Sequence, residues 1–450
     1  MIHQYKLAGK NVVIDTGSGA IHLVDELAYD AIARYEHLSP EALAAELAAL
    51  YPTVGQEEIS AVLADIGALQ AAGQLFTADD PYRELAGQVK RTGEVKALCL
   101  HVAHTCNLTC AYCFAREGQY QGDRALMSFG VGKQALDFLL QSSGARHNLE
   151  VDFFGGEPLL NWGVVKELVA YGRSQEAAYN KRFRFTLTTN GMLLDDEVIA
   201  FTNREMENVV LSLDGRRGVH DYFRKTATGQ GSYDVVVPKF QELVRRRTGG
   251  NYYIRGTYTR RNLDFVADIL QMADLGLKEL SMEPVVGPED DPFAIRAEDL
   301  PQIFEQYERL VHEMAARRGT EKEFTFYHYT LNLDHGPCAH KRLVGCGSGT
   351  EYLAVTPWGE LFPCHQFVGD AAYSMGDVWQ GVTNTAVREE LAACTVYNRP
   401  ACENCWARLF CGGGCAANAY HVSGSVRGID AVGCEMFRKR LECGIVLQVV

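Results

Sequence analysis

Three cysteines lie within one short segment of the chain, Cys106, Cys110 and Cys113, and they are spaced C-x-x-x-C-x-x-C. Cysteine thiolates are the usual ligands of cubane iron–sulfur clusters, which take four of them. Three thiolates this close hold only three corners, so one iron is left without a protein ligand. An open iron predicts a site for chemistry on a bound molecule. The alternatives for the same three residues are a structural zinc site or free thiols.

A second set of cysteines is concentrated near the C-terminus. Cys346 and Cys364 flank Gly359, and a run of four cysteines with gaps of two, five and three residues follows, with one more beyond it. These later cysteines are Cys402, Cys405, Cys411, Cys415 and Cys434. A zinc ribbon uses four ligands, and seven candidates exceed that number. The set therefore favours two iron–sulfur clusters with the chain crossing between them.

The bulk composition excludes some classes of function. The 450 residues carry a net charge of −14 with a pI near 5.4, which argues against a nucleic-acid partner because such a protein needs a basic face. No segment has the length of a membrane span, and the N-terminus has no export signal. Fourteen cysteines in such a chain favour metal ligation over disulfides. We therefore expect a cytoplasmic protein with no nucleic-acid and no membrane partner.

The apolar patterns predict an α/β protein in several parts. Short strands, three helical patterns and a closing strand at 74–76 predict a winged-helix-like unit at residues 1–80, and the polar stretch 81–95 predicts a linker. Between residues 96 and 318, six strand patterns alternate with helices, which predicts a parallel sheet whose functional loops follow the strands. Residues 319–450 are rich in Gly, Cys and Pro. The six strand patterns lie at 96–102, 149–154, 183–188, 209–213, 252–257 and 280–284.

The three-cysteine loop, which directly follows the first of these six strands, resembles that of the radical S-adenosylmethionine (SAM) enzymes. The resemblance implies a partial (β/α)6 TIM-like barrel in which the open iron chelates SAM and cleaves it to a 5′-deoxyadenosyl radical. Residues 319–450 resemble the SPASM domain with its two auxiliary 4Fe-4S clusters, so three clusters are implied. Residues 1–80 resemble the recognition element of enzymes that modify ribosomally made peptides. An ordinary packing or dimerisation domain is the alternative for that unit.

The resemblance also implies which loop residues contact SAM. The tyrosine before the third cysteine is placed against the adenine ring, and the glycine turn after the second strand accepts a hydrogen bond from the SAM amine. Polar side chains after the third and fourth strands bind ribose or carboxylate, and Arg224 offers a fork to the carboxylate. Asp214 has a second interpretation, as a cap of the segment that follows it. The full set is Tyr112, Phe114, Gly155, Gly156, Glu157, Thr188, Asn190, Ser212, Asp214, Arg224 and Glu283.

The SPASM resemblance divides the C-terminal cysteines between two clusters. One cluster takes Cys346, Cys364 and Cys415, and the other takes Cys402, Cys405, Cys411 and Cys434. The first set lacks a fourth ligand, which is either Cys338 or a thiolate of the substrate. Sulfatase-maturing relatives have an aspartate base directly after the second cysteine of the first set, and this chain has His365 there. That difference argues against formylglycine formation, although a histidine can act as a base in another reaction.

The chain as a whole resembles most the maturases of SCIFF (six-cysteine) peptides. These oxidoreductases join a cysteine sulfur to a carbon of another residue, which gives an intramolecular thioether. The implied partners are a ribosomally made precursor peptide, whose leader binds residues 1–80, and an electron donor such as flavodoxin or ferredoxin. Two alternatives remain: another radical SAM peptide modification, such as a carbon–carbon crosslink or a formylglycine-type oxidation, and a non-catalytic iron–sulfur electron-transfer scaffold.

Overall fold

A computed structural model describes residues 1–77, 81–88, 93–120, 122–288, 290–333 and 339–450. It contains a three-stranded antiparallel sheet at the N-terminus and an eleven-stranded sheet that runs through the rest of the chain. Cys338, one candidate for the fourth cluster ligand, lies outside the described residues. No helix among the described residues is long and apolar enough to cross a membrane.

The N-terminal unit is a small sheet followed by three helices, in the order that the sequence pattern predicts. Its elements are β1 (Ile2–Leu7), β2 (Lys10–Asp15), β3 (Ile21–Val24), α1 (Glu26–Arg34), α2 (Pro40–Leu50) and α3 (Gln56–Ala71). Helix α2 begins where the Ser39 side chain accepts from the Ala42 amide, with Pro40 in the first turn. The predicted closing strand at 74–76 is wrong. The chain bends there, and the ring Nε2 of His22 reaches Gln74 O at 3.0 Å in place of a strand ladder.

The two faces of the N-terminal sheet pack in different directions. Val13 faces the helices of the unit, whereas Val12 and Ile14 lie on the opposite face and join the main hydrophobic core. That opposition follows from the two-residue repeat of a strand. On the outer side of the sheet, His3 stacks on Trp406 with ring centroids 3.7 Å apart. The unit is therefore docked on the C-terminal region and not merely tethered to it.

The stretch 81–95, predicted as a linker, contains helix α4 (Pro81–Gln88). Its apolar residues Tyr82 and Leu85 pack against a cluster built around Leu343 and Val344. The Tyr82 hydroxyl also accepts a hydrogen bond from Arg342 at 3.0 Å. The sequence pattern missed this helix because its apolar face is one turn long and its stabilising partners lie about 260 residues away in the chain.

The central part of the chain is the predicted parallel sheet with helices on its outer side, and the partial-barrel prediction is confirmed. Its strands are β4 (Ala97–Ala103), β5 (Asn148–Gly155), β6 (Arg182–Thr189), β7 (Asn208–Ser212), β8 (Asn251–Tyr258) and β9 (Glu279–Pro284). Its helices are α5 (Phe129–Ser142), α6 (Trp162–Tyr179), α7 (Asp196–Glu205), α8 (Arg217–Phe223), α9 (Tyr233–Arg246), α10 (Val266–Asp274) and α11 (Leu300–Arg317). Side chains such as Val151, Phe153 and Phe185 pack outward under the helices, so the alternate, more polar residues face inward.

The C-terminal region extends this sheet beyond the six predicted strands. Strand β10 (Thr325–Phe326) pairs with β9, and β11 (Tyr352–Val355) pairs in parallel with β4, followed by the antiparallel strands β12 (Glu360–Phe362), β13 (Gly376–Asp377) and β14 (Gly381–Val382). The remaining helices are α12 (Ala339–Val344), α13 (Thr385–Ala392), α14 (Pro400–Glu403), α15 (Arg408–Cys411), α16 (Ala416–Ser423) and α17 (Ala431–Leu447). Because β11 pairs with β4, the edge of the barrel strand is satisfied and the segment carrying Cys364 is brought beside the barrel.

Candidate functional site

The three-cysteine loop leaves β4 and is held in place by backbone hydrogen bonds to the segment after β7. The amides of Thr109 and Ala111 donate to the carbonyls of Lys225 and Phe223 at 2.7 and 3.0 Å. Asn190, at the end of β6, donates from Nδ2 to Asn107 Oδ1 at 2.8 Å and lies 3.6 Å from Cys106 Sγ. Residues that follow two other barrel strands, β6 and β7, therefore fix the path of this loop.

The thiols of this loop suit a cationic cluster. Burial raises the pKa of Cys106 to about 11 and that of Cys110 to about 12, and the charge of Cys113 raises both further. Buried thiols this close together do not ionise without a positive partner, and bound iron supplies one. The three residues predicted to hold the first cluster thus lie together in a setting that fits it. When bound, such a cluster supplies the electron that cleaves SAM.

The glycine turn after β5 packs directly on the start of the cysteine loop. A Cβ on Gly155 would lie 2.3 Å from Ala103 O, and one on Gly156 would lie 2.1 Å from Thr105 O. The close approach lets the Gly156 amide donate to Ala103 O at 2.8 Å. The glycines are therefore required to bring the turn against the cysteine loop, beside the place predicted for the SAM amine.

The side chain of Glu157 accepts its hydrogen bonds from groups of the protein itself. Its Oε1 accepts from the Leu159 amide and the Thr189 hydroxyl, and its Oε2 accepts from the Asn190 amide at 2.8 Å. Burial raises the pKa of Glu157 to about 7, although these three donors lower it. The carboxylate therefore ties the second strand loop to the third, and both of its oxygens are occupied without SAM.

Asp214 is the centre of a second buried connection. It accepts from the Tyr112 hydroxyl at 2.6 Å, from the Thr257 amide at 3.0 Å, and from Arg224 through Nε and Nη2 at 2.9 and 3.2 Å. The Arg224 fork, predicted for the SAM carboxylate, is thus already paired with Asp214 inside the protein. Arg224 also lies over the Tyr112 ring, at 5.6 Å from its centroid. These contacts link the cysteine loop to the ends of β7 and β8.

The other predicted SAM contacts lie at the rim in three different settings. Thr188 and Ser212 are half-buried on the inner face of neighbouring strands. Phe114 projects from the cysteine loop with 54% of its surface exposed. Glu283 is held by His328 Nε2 at 3.4 Å and by Arg440 Nη1 at 3.7 Å, so its side chain has partners inside the protein.

The C-terminal cysteines fall into two groups in space. The charges of Cys415 and Cys346 raise the pKa of Cys364, after the larger effect of burial. The other group has the same mutual effect among its members, which are Cys402, Cys405, Cys411 and Cys434. Within the described residues, no three His, Cys, Asp or Glu side chains converge as they would around a single metal ion. The grouping is the one that the SPASM resemblance implies for two clusters.

His365 lies between the first C-terminal group and the three-cysteine loop. It directly follows Cys364, and its ring is 5.6 Å from that of Phe114 and 5.2 Å from that of Phe154. Burial, with a smaller effect of the Arg255 charge, lowers the pKa of His365 to about 4. The ring is therefore neutral near pH 7 and contacts Phe154 and Phe114, of which Phe114 directly follows Cys113.

Sequence reasoning missed several residues that shape this site. Tyr120 donates to Gly155 O at 3.0 Å, and His101 and His104 are buried with their ring nitrogens 3.1 Å apart. The two histidines follow each other on β4 and its loop, but only the folded chain shows that they meet. Arg255 was also missed, because an arginine within an apolar strand pattern carries no motif.

The comparisons with known proteins agree with this fold. Residues 100–259 match the family model of the Radical SAM superfamily. A cysteine-type anaerobic sulfatase-maturating enzyme of Clostridium novyi (strain NT) is 23% identical over 357 residues, which are 76% of this chain and 92% of the relative. The radical SAM cyclopropyl synthase TigE of Paramaledivibacter caminithermalis is 21% identical over 381 residues, 77% of this chain and 73% of TigE.

Two solved structures extend the likeness. The structure of anSMEcpe with bound AdoMet and the Kp18Cys peptide has a TM-score of 0.64 at 18% identity, and the match covers 79% of this chain and 99% of that one. Streptococcus suis SuiB bound to its precursor peptide SuiA has a TM-score of 0.55 at 15% identity, and covers 96% of this chain and 98% of SuiB. The second match includes the N-terminal unit. Residues 100–259 therefore match a Radical SAM domain, and the chain as a whole shares the fold of these two solved structures.

Proposed function

We propose that this protein modifies a ribosomally made peptide, and that the modification is a thioether between a cysteine sulfur and a carbon of another residue. The observation that supports the proposal is the ring contact, at 5.6 Å, between His365, which directly follows Cys364, and Phe114, which directly follows Cys113. Three thiols with no fourth ligand among the described residues leave one corner of a cluster for a substrate thiolate.

In this proposal, residues of the chain hold both reacting groups in fixed positions. Glu157, Asn190 and Asp214 fix the three-cysteine loop, so a radical formed there has a defined position. The rings of Phe114 and His365 lie 5.6 Å apart, and we place the peptide beside them. Fixing both reacting atoms before reaction removes much of the entropic cost of bringing them together. His365 is our candidate base by position, although its low pKa makes it a weak one.

The proposed reaction removes two hydrogen atoms from the peptide. The hydrogen on the acceptor carbon leaves as an atom and ends on 5′-deoxyadenosine, and the thiol hydrogen leaves as a proton. Bond formation between the carbon radical and the sulfur releases one electron, which a cluster held by Cys346, Cys364 and Cys415 would accept. An external donor such as flavodoxin or ferredoxin supplies the electron that starts each SAM cleavage.

The N-terminal unit offers a surface for the leader of the peptide. In its sheet β1 pairs only with β2, and β3 pairs only with β2, so β3 is an edge strand in the described structure. An edge strand can take an extended peptide as a further strand. β1 faces the C-terminal region through His3 and Trp406, which favours β3 as the free edge. The SuiB structure contains a bound precursor peptide, which supports a peptide partner for this chain.

Leader binding can be tested with two variants at equally exposed leucines, one on the β3 edge and one away from it. Leu23 on β3 and Leu50 at the end of α2 are both 49% exposed. We expect Leu23→Lys to weaken binding of a labelled leader about tenfold, since it loses apolar contact and adds a charge at the edge. Leu50→Lys is the control. Equal affinities of the two variants in fluorescence anisotropy would rule out the β3 edge.

The function itself is tested with the anaerobically reconstituted enzyme, a reductant, SAM and a short cysteine-rich peptide encoded by a neighbouring reading frame. We expect 5′-deoxyadenosine and a peptide lighter by about two mass units with one thiol fewer for alkylation, as follows from the loss of two hydrogens. A lighter peptide with all thiols intact would indicate a carbon–carbon crosslink. SAM cleavage without any change in the peptide would refute the proposed reaction with that peptide.

A further inference from the structure

Arg255 lies on the inner face of the barrel. In β8, Ile254 and Tyr258 are buried in the core under the helices, so the alternate residue Arg255 points to the opposite side. It pairs in register with Ser212 of β7 and with Ser281 of β9. Residues in register on parallel strands share a face, which places Arg255 beside a predicted SAM contact. Its side chain is exposed, although the residue lies inside a strand.

The neighbouring charges do not neutralise Arg255. Glu283, an acidic group whose pKa the charge of Arg255 lowers, is held by Arg440 Nη1 at 3.7 Å and by His328 Nε2 at 3.4 Å. His328 in turn is 3.2 Å from Arg440 and 3.3 Å from Ser281 Oγ. Arg255 itself has no ion pair within the described part of the chain. One carboxylate, that of Glu283, therefore faces two arginines, Arg255 and Arg440, so this group of side chains keeps a net positive charge.

The histidine beside Glu283 does not change this sum. Burial lowers the pKa of His328 to about 4, and the charge of Arg255 lowers it further. Its ring is therefore neutral near pH 7. A guanidinium without an ion-pair partner, exposed on the inner face of the barrel, is stabilised by an anion with two oxygens.

Arg255 lies on a different side of the barrel from Arg224, the arginine at the cysteine loop. Arg224 is the arginine whose charge lowers the pKa of Cys110, and it is paired with Asp214. Arg255 acts instead on Glu283, His328 and His365, on the side of the barrel that faces the C-terminal cysteines. A group bound there would lie between the two halves of the site.

We propose that Arg255 binds a carboxylate of the peptide substrate, from an Asp or Glu side chain near the residue attacked or from the peptide C-terminus. This inference rests on the proposed function, because it names the chemical class of that peptide. The SAM carboxylate is the other source of the same chemistry, and the SAM arm of the test below separates the two.

The test uses the reconstituted, SAM-loaded enzyme without a cognate peptide. The probes are N-acetyl-aspartate N-methylamide and N-acetylglycine, each compared with its uncharged counterpart, N-acetyl-asparagine N-methylamide or N-acetylglycinamide. Ligand-observed NMR gives their dissociation constants for the wild type, Arg255→Gln and Arg184→Gln. Arg184 is the matched control, since it is an arginine on β6 that is paired with Glu207 at 3.3 Å.

We expect at least one acid probe to bind wild type and Arg184→Gln about tenfold or more tightly than its amide, and Arg255→Gln to lose that preference. Whichever acid binds identifies a side-chain or a C-terminal carboxylate. The proposal is overturned if wild type does not prefer an acid, or if Arg255→Gln keeps the preference. A tenfold weaker SAM affinity in Arg255→Gln also overturns it, because Arg255 then serves SAM.

The same material distinguishes this inference from the proposed function. SAM cleavage in the absence of peptide, measured as 5′-deoxyadenosine release, should be equal in wild type and Arg255→Gln. If wild type releases none, the proposed radical chemistry fails while the binding result stands. If wild type releases it but binds no acid, only the carboxylate site fails.

Discussion

The contact between Asp214 and Arg224 has two opposing interpretations that one set of variants can separate. As a SAM ligand, Arg224 would matter for SAM affinity and little for stability. As the partner of a buried carboxylate, it would matter first for stability. The structure favours the second role, since two nitrogens of Arg224 are on Asp214, which is fully buried, and Arg224 itself is 11% exposed.

The size of the effect follows from that burial. Removing one member of a buried ion pair costs about 3 to 5 kcal/mol, because the other charge is left without a partner. In a cooperative unit the size of this barrel, each kcal/mol lowers the melting temperature by roughly 2 to 4 °C. Asp214→Ala and Arg224→Met should therefore each lower it by about 6 to 20 °C. The double variant should recover part of the loss, since neither charge is then stranded.

The assay follows thermal unfolding of the reconstituted enzyme under anaerobic conditions, beside SAM affinity. Arg216→Met serves as the control, because Arg216 pairs with Asp264 and Asp268 outside the cysteine loop. An Arg224→Met variant that unfolds like wild type but binds SAM at least tenfold more weakly would refute the structural role of the pair. Additive losses in the double variant would show that the two side chains do not act together.

Three further predictions test the surroundings of the site. Gly156→Ala should lower bound iron by about four per chain, since its Cβ would lie 2.1 Å from Thr105 O, whereas Gly163→Ala, whose Cβ meets nothing within 4 Å, should not. Burial lowers the pKa of His220 to about 4, so the unfolded state binds a proton first, and His220 should contribute about 2 kcal/mol to the unfolding free energy lost on acidification from pH 7 to 5; the loss should be smaller by that amount in His220→Asn. Cys411→Ser should also remove about four irons from a total of about twelve, and Cys394→Ser, at a buried thiol outside both groups, should leave iron content unchanged.

The cysteine spacing and the alternation of strands and helices predicted the fold of this protein, but they did not predict its network of buried polar contacts. Local periodicity is enough to place six strands, whereas the division of the C-terminal cysteines into two groups came from the SPASM resemblance, since Cys415 is only four residues from Cys411 and is assigned to the other group. The partners of Glu157 and Arg224 do not follow in this way. Each is set by how loops from different strands meet, and Asp214 is ten residues from Arg224 but 102 from Tyr112. Helix α4 was missed for the same reason, since its stability comes from a distant segment.

Among the residues that the structure describes, polar groups with partners inside the protein and polar groups without them lie on opposite sides of the site. On the side of the three-cysteine loop, Glu157, Asn190 and Asp214 have their hydrogen bonds within the protein, so that side is rigid before any ligand arrives. On the opposite side, Arg255 has no ion-pair partner in the described structure and Phe114 is exposed. A rigid side suits a cofactor that every turnover uses in the same geometry, and an unsatisfied side suits a substrate that brings its own charge. Specificity among related enzymes should therefore change on β8, β9 and the segment around His365, while the contacts around the cysteine loop are kept.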